Sequence, residues 1–210
     1  MVTDSIHMDL IIGNHDTFFK NTNDVNSPEL LLNEYHNILP FSSPTDYSID
    51  GCKILLMPWI CTDNYKECME AIDESDADIC FAHLELNGYQ MWKGQDSHEG
   101  FDPALFKNFT HVFTGHFHHR HTRGNITYLG NPYQMFWQDY NDVRGFHILD
   151  TNAISLEFIE NPKPWEFIEF PISSQDIQSL IFTYNNKVID FTNEYNKIYL
   201  NQIKRIIDPI

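Results

Sequence analysis

Basic residues are scarce in this chain. Thirteen Lys and Arg stand against thirty Asp and Glu, a formal charge of −17 over 210 residues. A broad, non-specific grip on nucleic acid needs Lys and Arg to neutralise phosphates and release counterions. The balance therefore excludes a protein that holds DNA by charge alone; metal ions or a partner would have to supply much of the attraction. Long apolar runs are missing as well, and none approaches the roughly 20 residues that cross a bilayer. The opening Met1 to Asp9 carries acid and no basic stretch, so it does not read as a signal peptide. The four cysteines, Cys52, Cys61, Cys68 and Cys80, form no C-x-x-C pair, and three sit among apolar or periodic residues. Reduced, buried thiols in a cytoplasmic chain are the expectation, not a disulfide frame or a zinc site. There is no internal repeat and no low-complexity tract.

What is present is a globular composition: 42% hydrophobic and 20% charged residues, with 16 Phe and 10 Tyr. A packed core follows from it. Asp9 to Ile12 reads as a strand that breaks at Gly13-Asn14. Ser27-Pro28-Glu29 reads as a helix start, with Ser27 as N-cap and Leu30, Leu31, Tyr35 and Ile38 near helical spacing. Tyr47 to Cys52 looks like a hairpin turn, Lys53 to Met57 a strand stopped by Pro58, and Asn64 to Asp73 a helix. Asp78 to Ala82 is a near-continuous apolar run, as in a strand covered on both faces. Asp102-Pro103 opens a helix through Phe109. His111 to Thr114, Ile126 to Leu129 and Gly145 to Leu149 are further strands. Strand and helix in alternation argue for a layered α/β architecture. Asn161-Pro162-Lys163-Pro164 marks a boundary, after which Lys187 to Asp190 is strand-like and Thr192 to Ile206 helical.

Three clusters of chemistry-bearing residues fall where a strand meets a loop. They are Gly13-Asn14-His15-Asp16, His83 at the end of the buried run, and Gly115-His116-Phe117-His118. His116 and His118 stand two apart, so in extended backbone they share a face. Neutral imidazoles placed that way are good divalent-metal ligands. Taken singly each cluster has a plainer reading: a histidine-rich surface tract extended by His119 and His121, a polar turn, a core histidine. Trp59, Trp92, Phe136 and Trp137 either line a nucleic-acid groove or pack internally. Arg120, Arg123 and Arg144 are candidate phosphate contacts, although Arg144 fits equally as the partner of a nearby acid.

Taken as an ordered set, the clusters resemble the last three motifs of the calcineurin-like metallophosphoesterases: G-N-H-[DE], a lone His after a strand, and G-H-x-H. The likeness narrows toward SbcD-type nuclease subunits and their phage counterparts through five segments. These are Ile54 to Trp59, His83 to Gly88, Gly115 to His118, Tyr128 to Tyr133, and Arg144-Gly145-Phe146. The resemblance implies a β-sandwich flanked by helices over residues 1–160, a linker at 161–172, and the start of a small α/β capping domain at 173–210. It implies that Asn14, His83 and His116 ligate one metal and His118 a second. Mn²⁺ is the expected ion, with Fe or Zn as alternatives. His15 would face the scissile phosphate and protonate the leaving oxygen, with Asp16 orienting it. Apart from the motifs, His98 sits in a loop near the expected site and either touches substrate or belongs to a plain surface loop, and Arg144 is a candidate substrate contact. The implied partners are DNA ends, an SbcC-type coiled-coil ATPase, and a second copy through the family's N-terminal region.

The resemblance also exposes a gap. The family's D-x-H and G-D motifs, which supply the bridging carboxylate and most ligands of one metal, lie upstream of G-N-H-D. Only twelve residues precede Gly13, and Asp4 and His7 do not match the pattern. The expectation is a fragment or a short, degenerate form. Such a chain would have weak or absent activity on its own and an apolar face left without its cover.

Overall fold

The computed structural model describes residues 7–139 and 141–161. Asp4, the expected linker beyond Asn161 and the expected capping segment 173–210 lie outside the described residues. The chain opens with β1 (Met8–Ile11). After the Gly13–Asp16 turn comes a short helix, α1 (Ser27–Leu32), with Pro28 in its first turn. Its cap is Asn26, not Ser27: the Asn26 side chain accepts the Glu29 N–H at 2.9 Å and donates to the Asn23 carbonyl at 2.9 Å. Helix α1 buries none of its residues; Leu30 and Leu31 are 67% and 70% exposed. With that face left exposed, helical spacing does not extend the helix to Ile38. Instead Ile38 begins β2 (Ile38–Phe41), which pairs in parallel with β1, Met8 opposite Ile38. Pro40 is tolerated there because β2 has a partner on one side only.

The expected hairpin forms from β3 (Thr45–Ile49) and β4 (Cys52–Met57) across Asp50-Gly51, both with positive φ. Helix α2 (Tyr65–Glu74) leads to β5 (Ile79–His83). A small bulged hairpin, β6 (Gln90–Trp92) and β7 (Gln95–Asp96), follows. The helix expected after Asp102 is a single 3₁₀ turn, Pro103–Phe106, capped by the Asp102 carboxylate. Then come β8 (His111–Gly115), β9 (His121–Arg123) and β10 (Ile126–Tyr128). A final hairpin pairs β11 (Gly145–Asp150) with β12 (Ser155–Glu160).

Six of these strands form one mixed sheet in the order β3-β4-β5-β8-β10-β9, with β4, β5, β8 and β10 parallel. Strands β4 and β5 are apolar on both faces because both are covered. On one face Cys68 and Ile72 of α2 pack with Leu55, Met57, Cys80, Ala82 and Val112. On the other, Ile54, Leu56, Ile79 and Phe113 are met by Ile11, Phe41, Leu149 and Leu156, from the β1–β2 and β11–β12 pairs. Each fully buried Ile or Leu in these layers contributes about 1.5–3 kcal/mol. The result is a mixed β-sheet core flanked by few helices, in keeping with the expected layered α/β class. All four cysteines are free, three of them buried. Among the described residues no helix is long and apolar enough to cross a membrane.

Candidate metal centre

Parallel pairing sets the location. His83, the last residue of β5, lies in register with Gly115, the last of β8. Two neighbouring strands therefore release their histidines at the same sheet edge. The Gly13–Asp16 turn arrives beside them because Ile12 donates to the Phe41 carbonyl at 3.1 Å and accepts from the Trp59 N–H at 2.8 Å. Asp16 closes that turn: its carboxylate accepts the Gly13 N–H at 2.7 Å. No contact between Asp16 and the His15 ring accompanies this, so its visible role is to shape the turn that presents Asn14 and His15.

The convergence is close. The Asn14 side-chain oxygen lies 2.9 Å from His83 Nε2 and 3.3 Å from His116 Nδ1. The two imidazole centroids are 5.3 Å apart, and Trp59 packs at 5.2 Å from His116 and 6.1 Å from His83. Two glycines lie close against the His83 ring. A Cβ on Gly13 would stand 2.9–3.1 Å from three atoms of the His83 ring, and one on Gly115 would stand 3.2 Å from His83 Nδ1. Both positions leave space for the His83 ring that a side chain would contest. His116 carries φ of 89°, a region that L residues rarely occupy, and such strain is typically held at functional sites.

Electrostatics make both rings neutral donors. Burial pushes the His83 pKa down to about 4, helped by the charges of His116, His15 and His118. Burial likewise pushes His116 down to about 4, with His15 and His118 adding to it. Exposed His15 and half-buried His118 are therefore close enough to act on both. Glu85 adds a carboxylate 4.0 Å from His116 Nε2. Among the described residues, no group of three or more His, Cys, Asp or Glu is arranged to hold a metal ion. The third donor beside the two histidines is the Asn14 amide oxygen, a type outside that set. Two neutral imidazoles and one amide oxygen form a mixed N/O donor set, which fits Mn²⁺, Fe or Zn in kind.

A second cluster stands behind His118. Its Nδ1 is 3.4 Å from Asp139 Oδ2, and its ring stacks on Phe136 at 5.2 Å. Asp139 is fully buried and also accepts the N–H groups of Met135 and Phe136 at 2.8 and 3.0 Å. Arg144, 3% exposed, meets Asp139 at 3.1 Å and Asp142 at 2.9 Å, and donates to the His118 carbonyl and the Asn131 side chain. Its guanidinium braces the loop that carries His118 and does not reach solvent. Asp142 also takes His119 Nδ1 at 2.8 Å. Asp139 and Asp142 were not singled out from sequence, where the only signal was acid placed close to Arg144; Asn131 fell within the Tyr128–Tyr133 segment but without a role. His98 is exposed, and its backbone carbonyl accepts the Asn87 side chain at 3.0 Å. Arg123 is paired with Asp96 at 3.1 Å, and Arg120 lies over the Phe158 ring at 4.1 Å.

An edge of parallel strands, two neutral imidazoles, a shared amide oxygen and a strained backbone define a candidate divalent-metal centre. The chain is similar to exonuclease subunit 1 of Enterobacteria phage T4, 34% identical over 203 residues, which is 92% of this chain. It spans 60% of that protein's length. The two are homologous over most of the present chain. No family model matches it.

Proposed function

We propose that this chain is a divalent-metal-dependent phosphodiester hydrolase of the SbcD nuclease type, acting on DNA ends beside an SbcC-type coiled-coil ATPase. The observation that carries the reading is the meeting of Asn14, His83 and His116, with His15 and His118 acting electrostatically on the same pair. The likeness to a phage exonuclease subunit supports the substrate class. Asn14, His83 and His116 would hold one ion, Mn²⁺ by preference, and His118 would contribute to a second. Such ions polarise a phosphoryl oxygen and generate a nucleophile from water at neutral pH. His15, exposed at the mouth of the centre, gives a proton to the leaving oxygen. Asp139 Oδ2 lies 3.4 Å from His118 Nδ1, and with the carboxylate on that side Nε2 would be the ring nitrogen that donates to an ion.

The charge of −17 and the limited ligand set favour a second reading, in which the chain alone hydrolyses poorly or takes a non-DNA phosphoester. Calorimetric titration with Mn²⁺ tests the centre directly. Binding should occur and should vanish in His83→Ala and Asn14→Ala, while His98→Ala retains it. Wild-type protein that takes up no Mn²⁺, or uptake indifferent to His83→Ala, refutes the proposal. Comparing linear DNA, a generic phosphodiester and a phosphomonoester then separates the two substrate readings.

A further inference from the structure

Trp59 has two neighbourhoods. One is the His83–His116 pair; the other is an open cleft of about 530 Å³ whose lining includes Lys20, Trp59, Thr62, Tyr65 and Phe101. That volume lies within the range of sites for small organic groups. Two of the lining rings, Tyr65 and Phe101, stack on one another, 6.3 Å apart at 25°, so a further ring would stack on the outside of that pair. Their placement follows from backbone chemistry. Tyr65 is the first residue of α2, 49% exposed, so its ring stands over the cleft instead of entering the core. Phe101 is fixed where its N–H meets the Glu85 carbonyl at 2.9 Å. Gly100 permits that approach, since it has φ of 93° and a Cβ there would stand 2.3 Å from the same carbonyl oxygen. Lys20 is exposed at the rim and, among the described residues, takes part in no ion pair.

Aromatic faces with one free cation match the chemistry of a nucleotide: a π-face to stack and a phosphate to neutralise. A chain so rich in acid has little charge with which to track a backbone, and stacking is the remaining source of affinity. We infer that the cleft beside Trp59 is a nucleotide subsite that takes one base of a single strand against Tyr65 and Phe101, with Lys20 on a neighbouring phosphate. Resting on the hydrolase reading above, it would place the adjoining phosphodiester in front of the His83–His116 pair. An apolar side chain of a protein partner would also enter such a cleft, but it would have no use for Lys20.

The test uses the full chain in EDTA, so that binding is read without turnover. Fluorescence anisotropy with a labelled oligothymidine of about eight nucleotides should show saturable binding. Tyr65→Ala should weaken it roughly ten-fold or more, as expected when one base loses its stacking partner. Lys20→Gln should reduce the slope of log K against log salt by about 0.7, the value for one phosphate contact on a single strand. Both side chains are exposed, so both variants should keep the wild-type thermal midpoint. No binding by the wild type, binding unchanged in Tyr65→Ala, or an unchanged salt slope in Lys20→Gln overturns the inference. So does displacement of the oligonucleotide by an apolar peptide at equal potency. Oligonucleotide binding with these dependences, but without Mn²⁺ uptake at His83, leaves the subsite standing and removes the hydrolase reading. The reverse pattern removes the subsite alone.

Discussion

Replacing Gly13 with Ala isolates the geometry of the centre better than removing a histidine does. Gly13 is not among the positive-φ residues, so its backbone accepts alanine without strain and any effect must be steric. The new Cβ would stand 2.9 Å from His83 Cε1, against an optimal carbon–carbon separation of about 3.5 Å or more. The ring must retreat by about 0.6 Å within a largely buried site. Overpacking of this kind costs about 1–3 kcal/mol. For a chain of this size that lowers the thermal midpoint by roughly 2–4 °C per kcal/mol. Retreat of the ring also pulls Nε2 from Asn14, so Mn²⁺ affinity should fall along with the midpoint. Gly124→Ala is the control: φ of 59° and open space around it predict about 1–2 kcal/mol of backbone strain and no change in metal affinity. Differential scanning calorimetry and Mn²⁺ titration read both quantities. A Gly13→Ala protein with native midpoint and native Mn²⁺ affinity would show that the approach of Gly13 to His83 is not tight, and the reasoning would fail.

Two further outcomes follow from the buried groups. Asp139→Ala removes the carboxylate shared by His118 and Arg144 and leaves the buried guanidinium with Asp142 as its one carboxylate partner, which should cost about 1–3 kcal/mol in urea unfolding. Burial pushes the Asp139 pKa up, but His118, the Met135 and Phe136 N–H groups and Arg144 together hold it below the usual carboxylate range. Its stabilisation is therefore full above the unfolded pKa and lost only as pH falls through the lower folded value. Acid unfolding of wild type that begins near pH 6 and is abolished in Asp139→Asn would contradict that sign. Alkylation at pH 8 should reach half-buried Cys52 first. Cys68, whose thiol burial pushes up to about 12, and Cys80, also pushed up by burial, should react only on unfolding; peptide mass spectrometry distinguishes the order.

The strands were legible in the sequence where apolar residues ran without interruption, and those strands carry the candidate centre. Ile79 to Ala82 and Val112 to Thr114 announce buried parallel strands, and a histidine after each must emerge at one edge once the strands pair. Strand β2 was not legible, because Leu39-Pro40-Phe41 is short, contains proline and is specified by pairing with β1 instead of by its own pattern. The exposure of Leu30 and Leu31 shows the converse: a helical period without a surface to meet does not lengthen a helix. Asp139 was hidden for another reason. It lies in an irregular segment between strands, where no periodicity operates, and only tertiary structure reveals that His118 and Arg144 share it. The cleft beside Trp59 was half visible, since the tryptophan drew notice as a stacking candidate while Lys20, Tyr65 and Phe101 are scattered along the chain.

The positive φ at His116 sets two demands against each other. An asparagine or glycine would sit more comfortably in that left-handed conformation, yet neither would present an imidazole to Asn14. Drift at this position would therefore tend to relax the main chain while stripping the centre of a nitrogen. A variant that melted higher and bound less would display the same conflict in a test tube.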